Sequence, residues 1–517
     1  MLDEGGIVAV DARQSAGDEG QVALGADAGG VADDGGELGE VGHGTASVTD
    51  GPEARLAAVN VGLPLFGAEL REQGAAATDV DWRPPAGGDA RSIAALSALW
   101  GRHGDAVQEA NARAVARIEG ARPLARTVAP AGEVVRGLGD RTLLHSGPPI
   151  AWDRVCDPQR RALLAACVFE GWAPDRERAA QLVAAGEIAL ESGNARDHVG
   201  AMTGVCSPSM PVWVVEDEAS GARACSTLNE GPGNTLWMGV GDDEAVAGLR
   251  FLRDRVGPDL ARVLEREGPV DVLALAAQGL HMGDELHMRS QATGALLLRF
   301  LAPGLAALGS EDVTRFVAGN HHFFLPLTMA AAKSASLAAE GVRGASVVTL
   351  LSRNGTDMGV RVAGLPGRWF EAPAAPVQDA VLRGGYAAED AALDIGDSAV
   401  IECVGLGGMA LAAAPVVASF FGGRAADAVA RTQLMAEICC ARSERFTIPA
   451  LDSLGAPVGI DARLVVELGV TPQISTGVLH GSSGAGQIGA GVAHQPLEPF
   501  RAALEGLVAE LDARAPG

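Results

Sequence analysis

The stretch Leu56-Ala-Ala-Val-Asn-Val-Gly-Leu-Pro-Leu-Phe-Gly-Ala-Glu-Leu-Arg-Glu-Gln-Gly-Ala-Ala-Ala-Thr-Asp-Val-Asp-Trp82 decides the fold class. Leu56 to Val61 is an apolar run that reads as a buried strand. Pro64 to Gln73 reads as a helix, closed by Gly74. Thr78-Asp-Val-Asp-Trp is the next strand, and Arg83-Pro-Pro-Ala-Gly-Gly ends it. A strand–helix–strand unit predicts parallel pairing. The Asn60-Val-Gly-Leu-Pro turn lies where open sheets place ligands, at a strand's carboxyl end.

Outward from this unit the chain reads as α/β and multi-domain, with a Rossmann-like N-terminal unit, a helical middle segment and a mixed α/β C-terminal part. Residues 52–240 are expected to form an N-terminal α/β domain. Residues 241–345 read as a largely helical domain with His-rich segments, and 346–517 as a C-terminal α/β domain. Residues 1–51 are a different material, in which eleven acids face one base, Arg13. Such a segment buries too little apolar surface to offset its ordering entropy and reads as a disordered acidic leader. Val212–Asp217 and Ala222–Leu228 read as a hairpin, as do Ser346–Ser352 and Asp357–Val362 across Asn354-Gly355. Glu311 to Ala339 reads as one buried helix, Asp394 to Val404 as a strand, Ala425 to Arg442 as a long helix and Glu498 to Asp512 as the last helix.

The net charge of −25 over 517 residues argues against nucleic acid and against an anionic membrane surface, since both call for a Lys/Arg surplus. A small anionic substrate stays open, because a local arginine can oppose the global field. The seven cysteines are scattered and none forms Cys-x-x-Cys, which points to a reducing cytoplasm. Val404 to Phe421 carries no charge but is rich in glycine and alanine. It reads as a buried turn and helix rather than a membrane span.

Titratable groups crowd into Gly279–Gln291, where His281, Asp284, Glu285, His287 and Arg289 lie within nine residues of an otherwise apolar chain. A helical reading of Leu280 to Ser290 places carboxylates beside imidazoles, the pairing that fixes a tautomer and raises basicity. His281, Asp284, His287, His321 and His322 are therefore the candidate acid/base groups. The competing reading is a capping and hydrogen-bond network. A metal is not expected, because His-x5-His is no ligand spacing and no cysteine lies near. Arg289, Asn320, Arg353, Asn354, Thr356 and Arg361 are candidate substrate contacts. A hairpin tip with two arginines can clasp a carboxylate or phosphate, or simply be a solvated turn. Gly405-Leu-Gly407-Gly408 follows a predicted strand without the acid that a dinucleotide site needs, so bare backbone N–H groups holding a phosphate are the better reading. No cofactor is implied.

Several motifs taken in order carry a family resemblance. They are Asn60-Val-Gly-Leu-Pro-Leu-Phe with Val80-Asp-Trp-Arg-Pro-Pro-Ala, Met202-Thr-Gly-Val-Cys-Ser-Pro-Ser-Met-Pro, His281-Met-Gly-Asp-Glu, Asn320-His-His-Phe-Phe-Leu, Arg353-Asn-Gly-Thr-Asp-Met-Gly-Val and Gly484-Ala-Gly-Gln-Ile-Gly. Over about Pro52 to Phe500 the chain resembles the YlbE/YahG-like proteins, a family that includes the AllG subunit of oxamate carbamoyltransferase. The resemblance implies a subunit of a heteromeric carbamoyltransferase in ureide and purine nitrogen catabolism. The reaction would convert oxalurate and phosphate to oxamate and carbamoyl phosphate. The implied partners are an FdrA-like, acyl-CoA-synthetase-related subunit and a third small subunit. The resemblance transfers no catalytic residue. Its alternatives are a non-catalytic scaffold or regulatory subunit, or an enzyme for another amide. On either reading His281, His321 and Arg353 are expected to converge in one pocket.

Overall fold

The computed structural model describes residues 7–9, 57–61, 63–80 and 83–513, and the chain divides into two compact units between Pro84 and Pro85. In the first unit Ala57–Val61 and Ala76–Val80 pair in parallel, joined by the helix Pro64–Glu72. The strand–helix–strand order and parallel pairing are as the pattern predicts, but the strand read as buried leaves Val59 and Val61 exposed, and Asp81 and Trp82 of the second predicted strand lie outside the described residues. Pro64 opens the helix, where its fixed φ and missing N–H cost nothing, and Gly74 turns out of it at φ 84°. Asn60 is tied to Asp79 across the strands at 2.7 Å. Apart from Ile7–Ala9, which pairs antiparallel with Ala58–Asn60, the expected acidic leader lies outside the described residues.

The second unit is mixed α/β, in keeping with the expected class. Its largest sheet has five strands in the spatial order Val270–Asp271, Pro123–Pro130, Pro211–Asp217, Arg223–Thr227, His198–Val199. The helix Leu325–Ala339 packs on this sheet and also touches the 3-10 turn Ser398–Val404. Nearly every side chain of that helix is buried. Its sequence explains this, because alanine and serine dominate all round and let neighbouring backbones approach on every side. Trp213 from the sheet is fully buried and meets Phe323 edge to face at 6.0 Å. A second sheet runs Phe370–Pro373, Asp357–Val362, Val348–Asn354, Ile395–Gly396, and a third runs Gln378–Leu382, Gln487–His494, Gln473–Leu479. The boundaries expected after residues 240 and 345 fall inside this unit, whose largest apolar core extends from Ala110 to Leu479.

Both predicted hairpins form, with Arg223–Thr227 against Pro211–Asp217 and Val348–Asn354 against Asp357–Val362. The last helix spans Glu498–Asp512. Four expectations fail for identifiable reasons. Glu311–Ala339 is two helices, Glu311–Gly319 and Leu325–Ala339, because Asn320 turns its side chain back to the His322 N–H and Pro326 starts a new helix. Asp394–Val404 is strand only at Ile395–Gly396, where Gly396 at φ 116° leaves the ladder and Ser398–Val404 coils into 3-10 turns. The helix from Ala425 stops at Ala436, and Cys439–Ile448 pairs as a strand with Leu454–Ile460. The segment after His281 is a loop, since Gly283 at φ 94° takes the chain out of helical geometry. Among the described residues one helix, Gln291–Leu308, is long and apolar enough to cross a membrane.

Candidate active site

The loop between the helices Val272–His281 and Gln291–Leu308 is held by its own carboxylates. Asp284 Oδ2 accepts from the Thr293 N–H at 2.7 Å and the Thr293 hydroxyl at 2.8 Å, capping the second helix from a distance. Its Oδ1 lies 3.4 Å from Arg289 Nε. Glu285 accepts from the N–H groups of His287, Met288 and Arg289 at 3.1, 2.5 and 2.7 Å. Burial pushes the Glu285 carboxyl up to about 7. Leu286, fully buried, is held at φ 75°, a region that leucine avoids. All these constraints fix one side chain, His287.

His287 Nδ1 lies 2.8 Å from Glu402 Oε1, and both groups are buried. The same oxygen accepts the Gly408 N–H at 3.0 Å. Beside a carboxylate Nδ1 carries the ring proton, which leaves Nε2 with its lone pair. The glycine loop makes this pairing possible. Gly407 sits at φ 59°, and a Cβ there would come within 2.2 Å of Glu402 Oε1. Its N–H donates to the Glu285 carbonyl at 2.7 Å, so the glycine turn ties Glu402 and the histidine loop together.

His287 lines a narrow pocket whose wall also includes Met202, Trp237, His322, Ser398, Thr476 and Gln487. A second cavity of about 410 Å³, bounded by Gly231–Asn234, Asn320, His321, Arg383 and Ala485–Gly486, shares Trp237, Met238, His322 and Gln487 with it. The two pockets adjoin at these four residues, a narrow one on the His287 side, here the inner chamber, and a wider one on the Arg383 side, here the outer chamber. Met202 is held in the left-handed region at φ 50°. Three polar atoms around the inner chamber, Ser398 Oγ, Trp237 Nε1 and His322 Nδ1, are buried without a hydrogen-bond partner among the described residues. Buried polar groups left this way mark a place where a ligand can complete them. Burial, followed by the neighbouring His321 and His287, pulls His322 down to about 4, so it is neutral near pH 7. Glu230 anchors the shared wall by accepting the Leu236 and Trp237 N–H groups at 2.6 and 3.0 Å, and burial pushes it up to about 7.

Of the residues expected from sequence, the structure brings His287, His321, His322 and Asn320 to this cleft. It does not bring the others, and the convergence of His281, His321 and Arg353 in one pocket does not occur. His281 is exposed and its Nε2 meets the Thr447 hydroxyl at 2.8 Å. Asp284 is a cap. Arg289 spends its guanidinium on the Gly283 carbonyl and Gln291. Arg353 is fully buried and bidentate to Asp394 at 2.8 and 3.0 Å, so it cannot clamp a substrate. Asn354 orders its own turn by accepting the Thr356 and Asp357 N–H groups, while the Thr356 hydroxyl donates to the Arg154 carbonyl. Arg361 stacks on Trp369 at 4.3 Å, with burial holding its pKa below the usual arginine value. The N–H groups of Gly405, Gly407 and Gly408 go to Glu402, Glu285 and Glu402 respectively, which leaves no cradle for phosphate. The sequence reading did not single out Glu402, Ser398, Arg383 or Gln487. Glu402 could have been suspected as a lone acid bordering an apolar glycine turn.

A family profile described as oxamate carbamoyltransferase subunit AllG matches residues 188–398. The uncharacterized protein YahG of Escherichia coli K12 is 38% identical over 457 residues, covering 87% of this chain and 97% of that protein. The oxamate carbamoyltransferase subunit AllG of the same organism is 41% identical over 409 residues, covering 78% of this chain and 97% of that protein. A crystal structure of a conserved protein of unknown function from Enterococcus faecalis V583 superposes with a TM-score of 0.76 at 37% identity, covering 78% of this chain and 98% of the other.

Proposed function

The chain belongs to the family of the oxamate carbamoyltransferase subunit AllG, and from that premise we propose that it carries the acid/base centre of a heteromeric carbamoyltransferase. The reaction is oxalurate plus phosphate to oxamate plus carbamoyl phosphate, within ureide and purine nitrogen catabolism. The partners are an FdrA-like subunit and a third small subunit. The observation that supports this reading best is the His287–Glu402 pair, buried at 2.8 Å beside a narrow pocket. All seven cysteines are free thiols, which fits the reducing cytoplasm where such a pathway runs.

In this reading a phosphate oxygen attacks the carbamoyl carbon of oxalurate while His287 Nε2 takes the phosphate proton. The carbonyl oxygen gathers negative charge, which the Ser398 hydroxyl and Trp237 Nε1–H, both unpartnered, would stabilise as hydrogen-bond donors. The C–N bond breaks, the proton on His287 passes to the departing amide nitrogen, and oxamate leaves. Glu402 holds the imidazolium in place between the two transfers. Neutral His322 contributes hydrogen bonding without adding charge. The test is to assemble the chain with its partner subunits and follow carbamoyl phosphate formation from oxalurate and phosphate by phosphorus NMR. Formation that requires this chain supports the reading. A complex that turns over another amide and not oxalurate contradicts it.

A further inference from the structure

The two chambers differ in charge in a way the reaction alone does not dictate. The inner chamber is lined by apolar side chains, two histidines, Ser398, Thr476 and Gln487, with no Lys, Arg, Asp or Glu among them. An anion moved into such a space loses its hydration and gains no counter-charge. The outer chamber has one guanidinium in its lining, Arg383. Arg383 is exposed, its backbone N–H donates to the Ile488 carbonyl at 2.7 Å and its carbonyl accepts the Tyr386 N–H at 3.2 Å. No hydrogen bond or ion pair occupies its side chain among the described residues, unlike Arg353 and Arg289 in the same unit. In a chain of net charge −25 an anion meets a repelling field, so an unpaired arginine at a cavity mouth is where it gains most.

We infer that Arg383 is the anion-binding and specificity-determining residue of this cleft, and that substrate enters with its uncharged amide or carbamoyl end in the inner chamber and its anionic end on Arg383. This rests on the carbamoyltransferase reading for the identity of the substrates but not for the polarity of the cleft. The arrangement places the bond to be broken near the shared wall of Trp237, Met238, His322 and Gln487, within reach of the chamber that holds His287. The anion is a carboxylate or a phosphate, and both offer the paired oxygens that a guanidinium recognises.

The experiment has a binding arm and a kinetic arm. Calorimetric titration of the full chain with oxamate and, separately, inorganic phosphate compares wild type with Arg383→Ala, Arg383→Lys and Arg383→Glu. The expected result is about a 10- to 100-fold loss of affinity for at least one anion in Arg383→Ala, the range of a charge-assisted hydrogen bond. Arg383→Lys should restore part of it and Arg383→Glu should lose more. Weakening confined to phosphate assigns the site to phosphate, and weakening confined to oxamate assigns it to the carboxylate. Unchanged affinity in Arg383→Ala, or no binding of either anion by the wild-type chain at millimolar concentration, overturns the inference. In the assembled complex, Arg383→Ala should raise KM for the assigned substrate by the same factor with kcat within about threefold, since the guanidinium holds ground and transition states alike. Ser398→Val, which crowds the inner chamber, should instead lower kcat. A complex inactive on oxalurate whose chain still shows the Arg383-dependent binding refutes the reaction and leaves the polarity of the cleft supported.

Discussion

At the residue scale the site turns on how buried charges are partnered. His287 is paired with a carboxylate 115 residues away in sequence, and that pairing sets which nitrogen is free. Replacing Glu402 with Gln keeps the volume and removes the charge. The expected outcome is a drop in kcat of about 10- to 100-fold in the assembled complex, the usual cost of losing a second-layer partner. Arg353 makes the opposite case. Its bidentate contact with Asp394 is fully buried, so Arg353→Ala leaves an unpaired carboxylate in the interior. It should cost about 3–5 kcal/mol in denaturant unfolding. Any folded fraction should keep wild-type KM values, which a role in substrate binding would not allow. His287, His321 and His322 were legible in the sequence because polar groups crowded among apolar ones stand out. Glu402 was not singled out, because a lone acid before a glycine turn is a weak signal and its partner His287 lies 115 residues away. Arg353 was misread because Arg-Asn-Gly-Thr resembles a solvated hairpin tip, while its partner lies 41 residues on.

At the element scale the site is made where regular structure stops. The histidine loop begins where Gly283 ends a helix, and the glycine turn begins where Gly405 at φ 90° ends the 3-10 segment. Gly407→Ala adds a methyl group within 2.2 Å of Glu402 Oε1 and strains a left-handed residue. It should displace the carboxylate and lower kcat about as far as Glu402→Gln. The two changes should not add in the double variant, because both act through one contact. Comparing kcat for the two single variants and the double variant checks this, and full additivity would separate the turn from Glu402. The strand–helix–strand opening, the two hairpins and the last helix were readable because each is specified by neighbours in sequence. The breaks at Asn320–Phe324 and Gly396 were not. They follow from tertiary demands, namely the hydrogen bond from the Asn320 amide to the Asn229 carbonyl at 3.2 Å and the close approach of Gly396 to Met202, where a Cβ would come within 2.5 Å of the Met202 nitrogen.

At the scale of the whole molecule burial biases several interior titratable groups toward their neutral forms, beside buried ion pairs such as Arg353–Asp394. Burial pulls His145 and His322 down to about 4 and His198 to about 3. The unfolded chain protonates these histidines near 6.5 while the folded chain does not, so their contribution to stability is present above that pH and is lost as pH falls toward 4. Glu230 and Glu285, raised to about 7, act with the opposite sign, losing stability as pH rises from about 4.5 to 7. The wild-type curve is therefore shallower than the histidines alone would make it. A single variant isolates one of them. Relative to His198→Asn, wild type should lose about 2 kcal/mol between pH 7.5 and 5, at about 1.36 kcal/mol per unit below 6.5, as measured by urea unfolding. A difference that does not change with pH would mean that His198 titrates normally in the folded chain. The central claim is that this chain, and not a partner alone, carries the proton-transfer centre, and that the centre is His287 rather than the neighbouring His281. The most direct measurement is kcat for carbamoyl phosphate formation by the assembled complex carrying either His287→Gln or His281→Gln, with assembly checked by size-exclusion chromatography. The account predicts a loss of about 100-fold or more for His287→Gln, the scale of general acid–base catalysis, and near wild-type turnover for His281→Gln. Wild-type turnover by an assembled His287→Gln complex would contradict it and move the chemistry to a partner subunit.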